Sequence, residues 1–392
     1  MSGCSQRVWA VIAGGGTGGH VYPGLAVAEA LGTGEDPRHG RVHFVVSRRP
    51  LDSEIVVSAG YEATAISARG FRRRLAGANL VAAWALARGV WQGWRLLGRT
   101  SPRVVLAQGG YVSAACAVAA RLRGIPVVVL EANARPGAAN RLTARWAEAC
   151  AVAYEEAQLR GAVRTGLPVR AGVAALHPGT GSEATAGDDR DRARAALGVG
   201  EGRRLVLVIG GSQGSSRLNA AVEAACELLA ERADLAVRHV TGDAAADARR
   251  GCSSGRAGGG AGGERLHYER VPYEHDMPTA LAAADLVLSR AGGSALAELA
   301  IVGRASLLVP LPGATGDHQS ANAAVLAAAG ASLVIPDSEL GGPRLATAIS
   351  DLLADPVRLE CMQQAAAGFG RPDAARRVVD LLVAAAGEGA GP

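Results

Sequence analysis

Lysine is absent from this chain. All 41 basic residues among its 392 are arginine. Aromatic residues are scarce as well, at 4%, so a core has to be built from small aliphatic side chains rather than from large rings. No apolar run reaches the ~18–20 residues of a membrane-spanning helix. The N-terminus, MSGCSQRVWAVIAGGG, has no h-region of secretory length, because its apolar run ends in glycines. The six cysteines (Cys4, Cys116, Cys150, Cys226, Cys252, Cys361) form no CxxC pair. That excludes the usual zinc spacing and argues against a disulfide framework, so a cytosolic protein with reduced thiols is expected. Glycine is plentiful, at 53 residues, but follows no three-residue period, which excludes a collagen-like chain.

What is present is apolar sequence in short bursts. The apolar fraction is 49%, and runs such as RLVLVIGG and VVVLEAN need a core to hide in. A chain of this length suggests about two domains. Net charge is +5 but uneven: residues 1–165 hold 20 Arg against 10 acids, and residues 166–392 hold 21 against 26. Between Glu62 and Glu131 there are ten Arg and no acid. A half so basic points to an anionic partner, whether nucleic acid, anionic lipid or a phosphorylated substrate. No RNP, KH or helix-turn-helix pattern favours nucleic acid, so none is expected as a partner.

The order along the chain is strand, glycine-rich turn, helix, repeated. RVWAVIAGG, RVHFVVS, PRVVLAQ and IPVVVLEAN read as buried strands of one half. RRLVLVIGG, LAVRHVTG, ERLHYERVPY, ADLVLSRAG, ASLLVPL and SLVIP read as those of a second. This rhythm predicts an α/β fold of two doubly wound, Rossmann-like domains facing a cleft. Expected boundaries are 1–168 for the first domain and 203–370 for the second. The Gly-, Ser- and acid-rich stretch 169–202 reads as a flexible inter-domain connection, and 371–392 as a C-terminal helix able to pack back on the first domain.

Chemistry concentrates just past strand ends, where open α/β sheets bind ligands. Gly14-Gly15-Gly16-Thr17-Gly18-Gly19-His20 follows a strand and opens a helix; its small residues let main chain approach an anion. It lacks the GK[ST] of a P-loop and the acid of a dinucleotide fingerprint. Gly210-Gly211-Ser212-Gln213-Gly214 is the matching turn of the second half, where Ser212 either caps the helix or binds a phosphate oxygen. Gly109-Gly110-Tyr111-Val112-Ser113 is a third such turn. Polar clusters follow at Glu131-Ala132-Asn133, Ser289-Arg290-Ala291-Gly292-Gly293-Ser294 and Asp317-His318-Gln319. Glu298, one helical turn past the second cluster, has the chemistry to accept both hydroxyls of a ribose. No His/Asp/Glu spacing suggests a metal cage, no GxSxG elbow a hydrolase, and no cofactor is called for. The need for a divalent ion stays open.

These blocks carry a family resemblance. GGTGGHVYPGLAVAEAL, GGYVS, EANARPGAANR, TGLPVR, GGSQGSSRLN, SRAGGSALAEL and DHQSANA occur in the order found in the MurG family, and the similarity runs from about residue 7 to near 377. Membership implies a GT-B glycosyltransferase of peptidoglycan synthesis. It would move GlcNAc from UDP-GlcNAc, with inversion, to the MurNAc 4-hydroxyl of lipid I (undecaprenyl-diphospho-MurNAc-pentapeptide), giving lipid II. It also implies a peripheral enzyme on the cytoplasmic face of the cell membrane.

By the resemblance, Thr17, Gly18, Gly19 and Asn133 approach the donor sugar, Arg170 contacts the donor, and Ser212 holds the UDP diphosphate. Gly293, Ser294, Ala295, Leu296, Ala297 and Glu298 line the nucleotide, with Glu298 on the ribose, while Gln319 reaches the GlcNAc hydroxyls. Glu274 matches a position whose main chain contacts uracil, so its side chain is expected to matter less. Gly15, Gly16, Tyr111 and Ser113 fall on the acceptor side, and His20 is the candidate catalytic group. The chain departs from the family at Ala295, where Thr is usual, at Ala107, where Gly is usual, and at Leu167, where Asn usually precedes Pro168. Two alternatives stay beside this reading: another GT-B lipid glycosyltransferase, and a catalytically impaired GT-B-like binding protein.

Residues 71–99 carry one more signal. Leu80, Trp84, Ala87, Trp91 and Trp94 follow 4-3-4-3 spacing and so form one helical stripe. Arg88 and Arg95 fall near it, and Arg72, Arg73 and Arg74 stand just upstream. Either the stripe lies on an anionic membrane surface, or the helix is an ordinary core helix with its tryptophans against the sheet.

Overall fold

The computed structural model describes residues 8–15, 18–32, 41–68, 76–180, 183–211, 214–242 and 265–387. It divides into two compact units: Met1–Ala171 together with Asp373–Pro392, and Gly172–Pro372.

Unit 1 is built on seven strands: β1 (Ala10–Ala13), β2 (Val42–Val46), β3 (Glu62–Ala65), β4 (Val104–Ala107), β5 (Val127–Glu131), β6 (Ala149–Val152) and β7 (Ala162–Arg164). All pair in parallel, in the order β3-β2-β1-β4-β5-β6-β7. The central strands are buried at every residue, as a sheet covered on both faces requires, whereas edge strands β3 and β7 are partly exposed. Helices α1 (Gly18–Gly32), α2 (Pro50–Ser58), α3 (Ala76–Thr100), α4 (Gly110–Leu122) and α5 (Ala138–Thr143) connect them. Right-handed crossovers put α1 and α2 on one face and α3, α4 and α5 on the other. The last helix, Ala374–Ala385, buries Val378 and Leu382 completely and packs on α1, β4, β5 and β6 of this unit.

Unit 2 repeats the plan with β8 (Arg204–Ile209), β9 (Leu235–Val240), β10 (His267–Val271), β11 (Leu286–Ser289), β12 (Ser306–Leu308) and β13 (Ser332–Val334). These are again all parallel, in the order β10-β9-β8-β11-β12-β13. In each sheet the strand order reverses beside the first strand, between β1 and β4 and between β8 and β11. Those are the topological switch points at which doubly wound sheets hold ligands. All four strands meeting there run into one of the glycine-bearing turns or clusters noted in the sequence.

The stretch 169–202 is not the flexible connection expected. It contains α6 (Ala171–Ala174) and α7 (Glu183–Ala196), and from Gly172 onward it belongs to unit 2. The reason is electrostatic. Asp285, buried at the foot of β11, accepts from Arg190 (2.5 Å) and Arg194 (3.1 Å) of α7, from Arg204 (3.2 Å) and from the Leu205 N–H (2.7 Å). Burial alone would raise the Asp285 carboxyl. The Leu205 N–H and the three guanidiniums outweigh it and hold the group below its ordinary value. Glycine and serine content signalled a linker; the arginines of α7 dock it.

The described cysteines are free thiols, with Cys116, Cys150 and Cys226 buried and Cys361 exposed. Burial pushes Cys116 and Cys226 up to about 12 and Cys150 to about 11.

Candidate functional site

In unit 2, β8 ends in the turn 210–215. Gly214 has φ +67°, and a Cβ there would stand 2.5 Å from the Thr241 carbonyl oxygen, so no side chain fits. That same oxygen accepts from the Asn219 amide (2.9 Å), which fastens α8 (Ser216–Leu228) to the end of β9. The helix cap is Ser215, whose hydroxyl accepts from the Leu218 N–H. This corrects the expectation that Ser212 caps the helix: the helix begins four residues later, and Ser212 lies outside the described residues.

Arg290, just past β11, organises this region. Its guanidinium donates to the Ser215 hydroxyl (2.8 Å), to the carbonyls of Val309 (3.0 Å) and Pro310 (3.3 Å), and to Asp337 (2.7 Å). The side chain is 7% exposed. One arginine therefore joins the two switch-point turns to the end of β12, and its fork geometry is what permits it. The sequence placed Arg290 in a polar cluster but gave no sign that Ser215 and Asp337 share it.

The helix Gly293–Val302 starts directly after this arginine without a side-chain cap, so its first N–H groups are left to other partners. Gly293, Ser294, Ala295, Ala297 and Glu298 are half-buried along its first two turns. Leu296 differs from these in having its side chain fully buried, so only its main chain is open to a ligand. Ala295, where the resemblance leads one to expect Thr, provides no hydroxyl on this first turn. Asn322, itself fully buried, donates to the Ala291 carbonyl (3.2 Å) and ties the helix His318–Ala328 to this turn. In that helix the Gln319 side-chain oxygen accepts from the Leu311 N–H (2.9 Å), which fixes its amide against the end of β12. The Glu274 side chain also matters more than expected. It is buried, and its carboxylate binds Arg238 (2.7 Å) and the Asp276 N–H (3.0 Å), fixing the loop after β10.

In unit 1 the first turn is shaped by contact. A Cβ on Gly15 would sit 2.7 Å from the Ser47 nitrogen and 3.0 Å from a carboxylate oxygen of buried Asp52, and one on Gly110 3.3 Å from the Gly15 carbonyl. The turns after β1 and β4 thus touch through main chain alone. Gly16 and Thr17 lie outside the described residues. Gly18, Gly19 and His20 form the first turn of α1, and the His20 side chain is outside the description too. Tyr111 is exposed on the first turn of α4. Ser113, expected on the acceptor side, is instead buried, its hydroxyl accepting from the Gly109 N–H (3.1 Å) and bracing the turn.

Asn133 is held by Glu131. That carboxylate, 2% exposed, accepts from the Asn133 N–H and amide (both 3.0 Å), the Gly137 N–H (2.9 Å) and the Asn140 amide (2.9 Å). Asn140 is a positioning residue that pattern reading missed, although it lies within EANARPGAANR. The Arg170 guanidinium stacks 4.8 Å from the Tyr22 ring of α1. Among the described residues, no group of three or more His, Cys, Asp or Glu is placed to hold a metal ion.

The helix α3 presents two unlike faces. Ala82, Ala85, Gly89, Gly93 and Leu97 turn inward. A Cβ on Gly89 would lie 2.2 Å from the Ser67 carbonyl and 3.3 Å from the Ala115 Cβ, and one on Gly93 3.3 Å from the Ala119 Cβ, so α3 packs closely on α4. Opposite them, Trp84, Trp91 and Trp94 are 65%, 55% and 43% exposed. This excludes the alternative in which the stripe is buried against the sheet. Arg88 lies 5.5 Å over Trp84, Arg95 4.9 Å over Trp91 and Arg123 4.0 Å over Trp94. Arg72, Arg73, Arg74 and the Leu80 side chain fall outside the description. No helix among the described residues is long and apolar enough to cross a membrane.

Two doubly wound domains, each with glycine-rich main chain at its switch point, have the build of GT-B proteins, and comparison with known proteins makes the class a glycosyltransferase. Residues 10–152 match the glycosyltransferase family 28 N-terminal domain, and residues 205–378 its C-terminal domain. The UDP-N-acetylglucosamine--N-acetylmuramyl-(pentapeptide) pyrophosphoryl-undecaprenol N-acetylglucosamine transferase of Desulforudis audaxviator is 37% identical over 97% of this chain and 99% of its own. The like-named protein of Alkalilimnicola ehrlichii is 39% identical over 95% and 98%. The crystal structure of Acinetobacter baumannii MurG superimposes with a TM-score of 0.71 at 26% identity, covering 96% of this chain and 99% of that one. A Staphylococcus aureus MnaA–UDP structure, at 13% identity and a TM-score of 0.66, shares the fold. The chain belongs to the MurG family of glycosyltransferases.

Proposed function

We propose that this chain transfers GlcNAc from UDP-GlcNAc to the MurNAc 4-hydroxyl of undecaprenyl-diphospho-MurNAc-pentapeptide. The observation that carries this is identity of 36–39% with transferases named for that reaction, along 95–97% of the chain. In the transfer, the acceptor oxygen bonds to C1 of GlcNAc with inversion as the C1–O bond to UDP breaks. UDP leaves with the electron pair, and the hydroxyl proton passes to His20.

On the donor side, the turn 210–215 and the uncapped start of the helix Gly293–Val302 support diphosphate binding by main-chain N–H groups, with Ser212 adding a hydroxyl. Glu298 takes the ribose hydroxyls, and the Gln319 amide donates to the sugar. Thr17, Gly18, Gly19, Asn133 and Arg170 of unit 1 meet the donor; Gly15, Gly16 and Tyr111 meet the acceptor. The exposed tryptophans of α3, each with a guanidinium over its ring, support peripheral attachment to anionic lipid on the cytoplasmic face.

The test is to incubate the protein with UDP-GlcNAc and a short-chain analogue of the lipid-linked acceptor. Formation of the β-linked disaccharide lipid together with one equivalent of UDP is expected. Absence of the disaccharide while UDP still binds would leave only the impaired binding protein.

A further inference from the structure

Along β9, alternate residues face the core of unit 2, and Leu235 and Val237 fill it with aliphatic carbon. The next residue on that face, His239, breaks the row. It is fully buried, and Asn219 and Thr241 are buried beside it. A leucine would continue the packing with no polar group to satisfy, and polar groups in a core add little cohesion over apolar ones of the same shape. What a hydrogen-bonded network adds is a single arrangement of its members.

That arrangement follows from atom to atom. The Thr241 carbonyl only accepts, so Asn219 must present its NH₂ to it (2.9 Å) and its oxygen to His239 (3.1 Å). The imidazole is then assigned to donate from Nε2 and to accept at Nδ1 from the Tyr268 hydroxyl (2.9 Å). This polar column ends against the turn after β8. The Asn219 N–H donates to the Ser215 carbonyl (2.8 Å). A Cβ on Gly210 would lie 3.3 Å from the Ser215 nitrogen and 3.6 Å from the Asn219 side-chain oxygen. The Thr241 carbonyl closes on Gly214, where no side chain fits. The turn rests on the Asn219 amide, and the ring holds that amide in place.

We infer that His239 is a positioning residue for donor binding: acting through Asn219 and Thr241, it fixes the main chain of the turn 210–215 and so sets the affinity for the donor diphosphate. The inference rests on the reading of that turn as the diphosphate site. Main-chain N–H groups hold an anion tightly when they are already aimed at it, because a turn that must be ordered on binding gives up part of the affinity. Asn219 stands between the ring and the turn, so the ring acts on the ligand only through it.

The experiment measures binding to the full chain of UDP, by calorimetry, and of uridine, which lacks the diphosphate, by ligand-observed NMR. His239→Leu keeps the bulk and removes the donor to Asn219. His239→Gln keeps an N–H donor near the position of Nε2, and Tyr268→Phe removes only the hydroxyl that fixes the tautomer. His239→Leu is expected to bind UDP about tenfold more weakly than wild type and uridine within about twofold of it. His239→Gln should bind UDP within about threefold of wild type, and Tyr268→Phe should fall between the two histidine variants. Equal weakening of both probes would be a general loosening of unit 2 and overturns the inference. So does UDP binding by His239→Leu equal to that of wild type. If His239→Leu does not fold, Tyr268→Phe decides: weaker UDP binding with unchanged uridine binding supports the inference, and unchanged UDP binding overturns it. Failure of wild type to bind UDP removes the donor reading and the inference with it, whereas UDP bound equally by wild type and variants removes the inference alone.

Discussion

Arg290 and Ser215 lie 75 positions apart in the chain and meet at 2.8 Å, the guanidinium donating to the hydroxyl that caps α8. The same guanidinium reaches Asp337 at 2.7 Å. An arginine beside a proposed diphosphate site thus spends its donors on the protein frame, where it aligns the two turns that present main-chain N–H groups.

Arg290→Met is expected to destabilise unit 2 by about 3–5 kcal/mol, because it strands a buried carboxylate and removes a second partner from the helix cap. UDP affinity should fall with it, since the turns lose their common anchor. Thermal melting and calorimetry with UDP check both. A variant that melts like wild type would mean that Arg217, 3.3 Å from Asp337, suffices to hold that carboxylate.

Much of this frame was legible in the sequence, and the unreadable part has physical causes. Parallel-sheet strands buried on both faces appear as unbroken apolar runs, so RVWAVIAGG and RRLVLVIGG announced β1 and β8 and the glycines after them. The dock between α7 and Asp285 was hidden, because the contact spans about ninety residues and the segment has linker composition. Ser215 was passed over for Ser212 because both hydroxyls sit near a helix start, and only the main-chain path decides which one caps. The α3 stripe left two readings open, because spacing defines a face without saying what lies against it.

His239 sets a pH dependence. Its ring is buried between the Tyr268 hydroxyl (2.9 Å) and the Asn219 side-chain oxygen (3.1 Å). Asn219 donates its amide to Thr241, so its oxygen faces the ring and the imidazole is assigned neutral, with the proton on Nε2. Burial, with a smaller push from the Arg270 charge, lowers its pKa from 6.5 to about 4. The unfolded chain therefore binds more protons between those values. Stability is complete above pH 6.5 and is lost as pH falls through 6.5 toward 4, by about 2 kcal/mol at pH 5. His239→Gln should remove that share of the acid sensitivity. All five tryptophans lie in unit 1, so fluorescence isolates unit 1 while circular dichroism reports both units, and a transition seen by circular dichroism alone belongs to unit 2. An equal acid response in wild type and variant would show that the ring is protonated in the folded protein.

The two proposed chemical roles separate kinetically. Glu298→Ala should weaken UDP binding by about 1.5–3 kcal/mol for each ribose hydrogen bond lost, and leave binding of a bare diphosphate unchanged. His20→Ala should lower kcat by about 10²–10⁴-fold with little change in the KM for UDP-GlcNAc. Near-normal kcat in the second variant would reduce His20 to a residue of the helix start.

The exposed tryptophans yield the last prediction. Trp84, Trp91 and Trp94 stand on the face of α3 opposite Gly89 and Gly93, and the close approach to α4 on the glycine side fixes the helix so that all three rings face solvent. Leaving that much ring surface in water is costly unless something covers it. Arg88 and Arg95 each follow their tryptophan by one turn, and Arg123 reaches Trp94 from the end of α4. Rings at headgroup depth with guanidiniums on lipid phosphates satisfy both groups at once. Each arginine near an anionic leaflet contributes about 1 kcal/mol, an attraction that salt screens. Wild type should therefore sediment with phosphatidylglycerol vesicles, less with phosphatidylcholine vesicles, and less again as salt rises. Trp84→Ala/Trp91→Ala should lose most of the binding that survives high salt, because ring burial is insensitive to screening, whereas Arg88→Gln/Arg95→Gln should lose the part that salt removes. If both double variants bind as wild type does, α3 is not the surface that meets the bilayer.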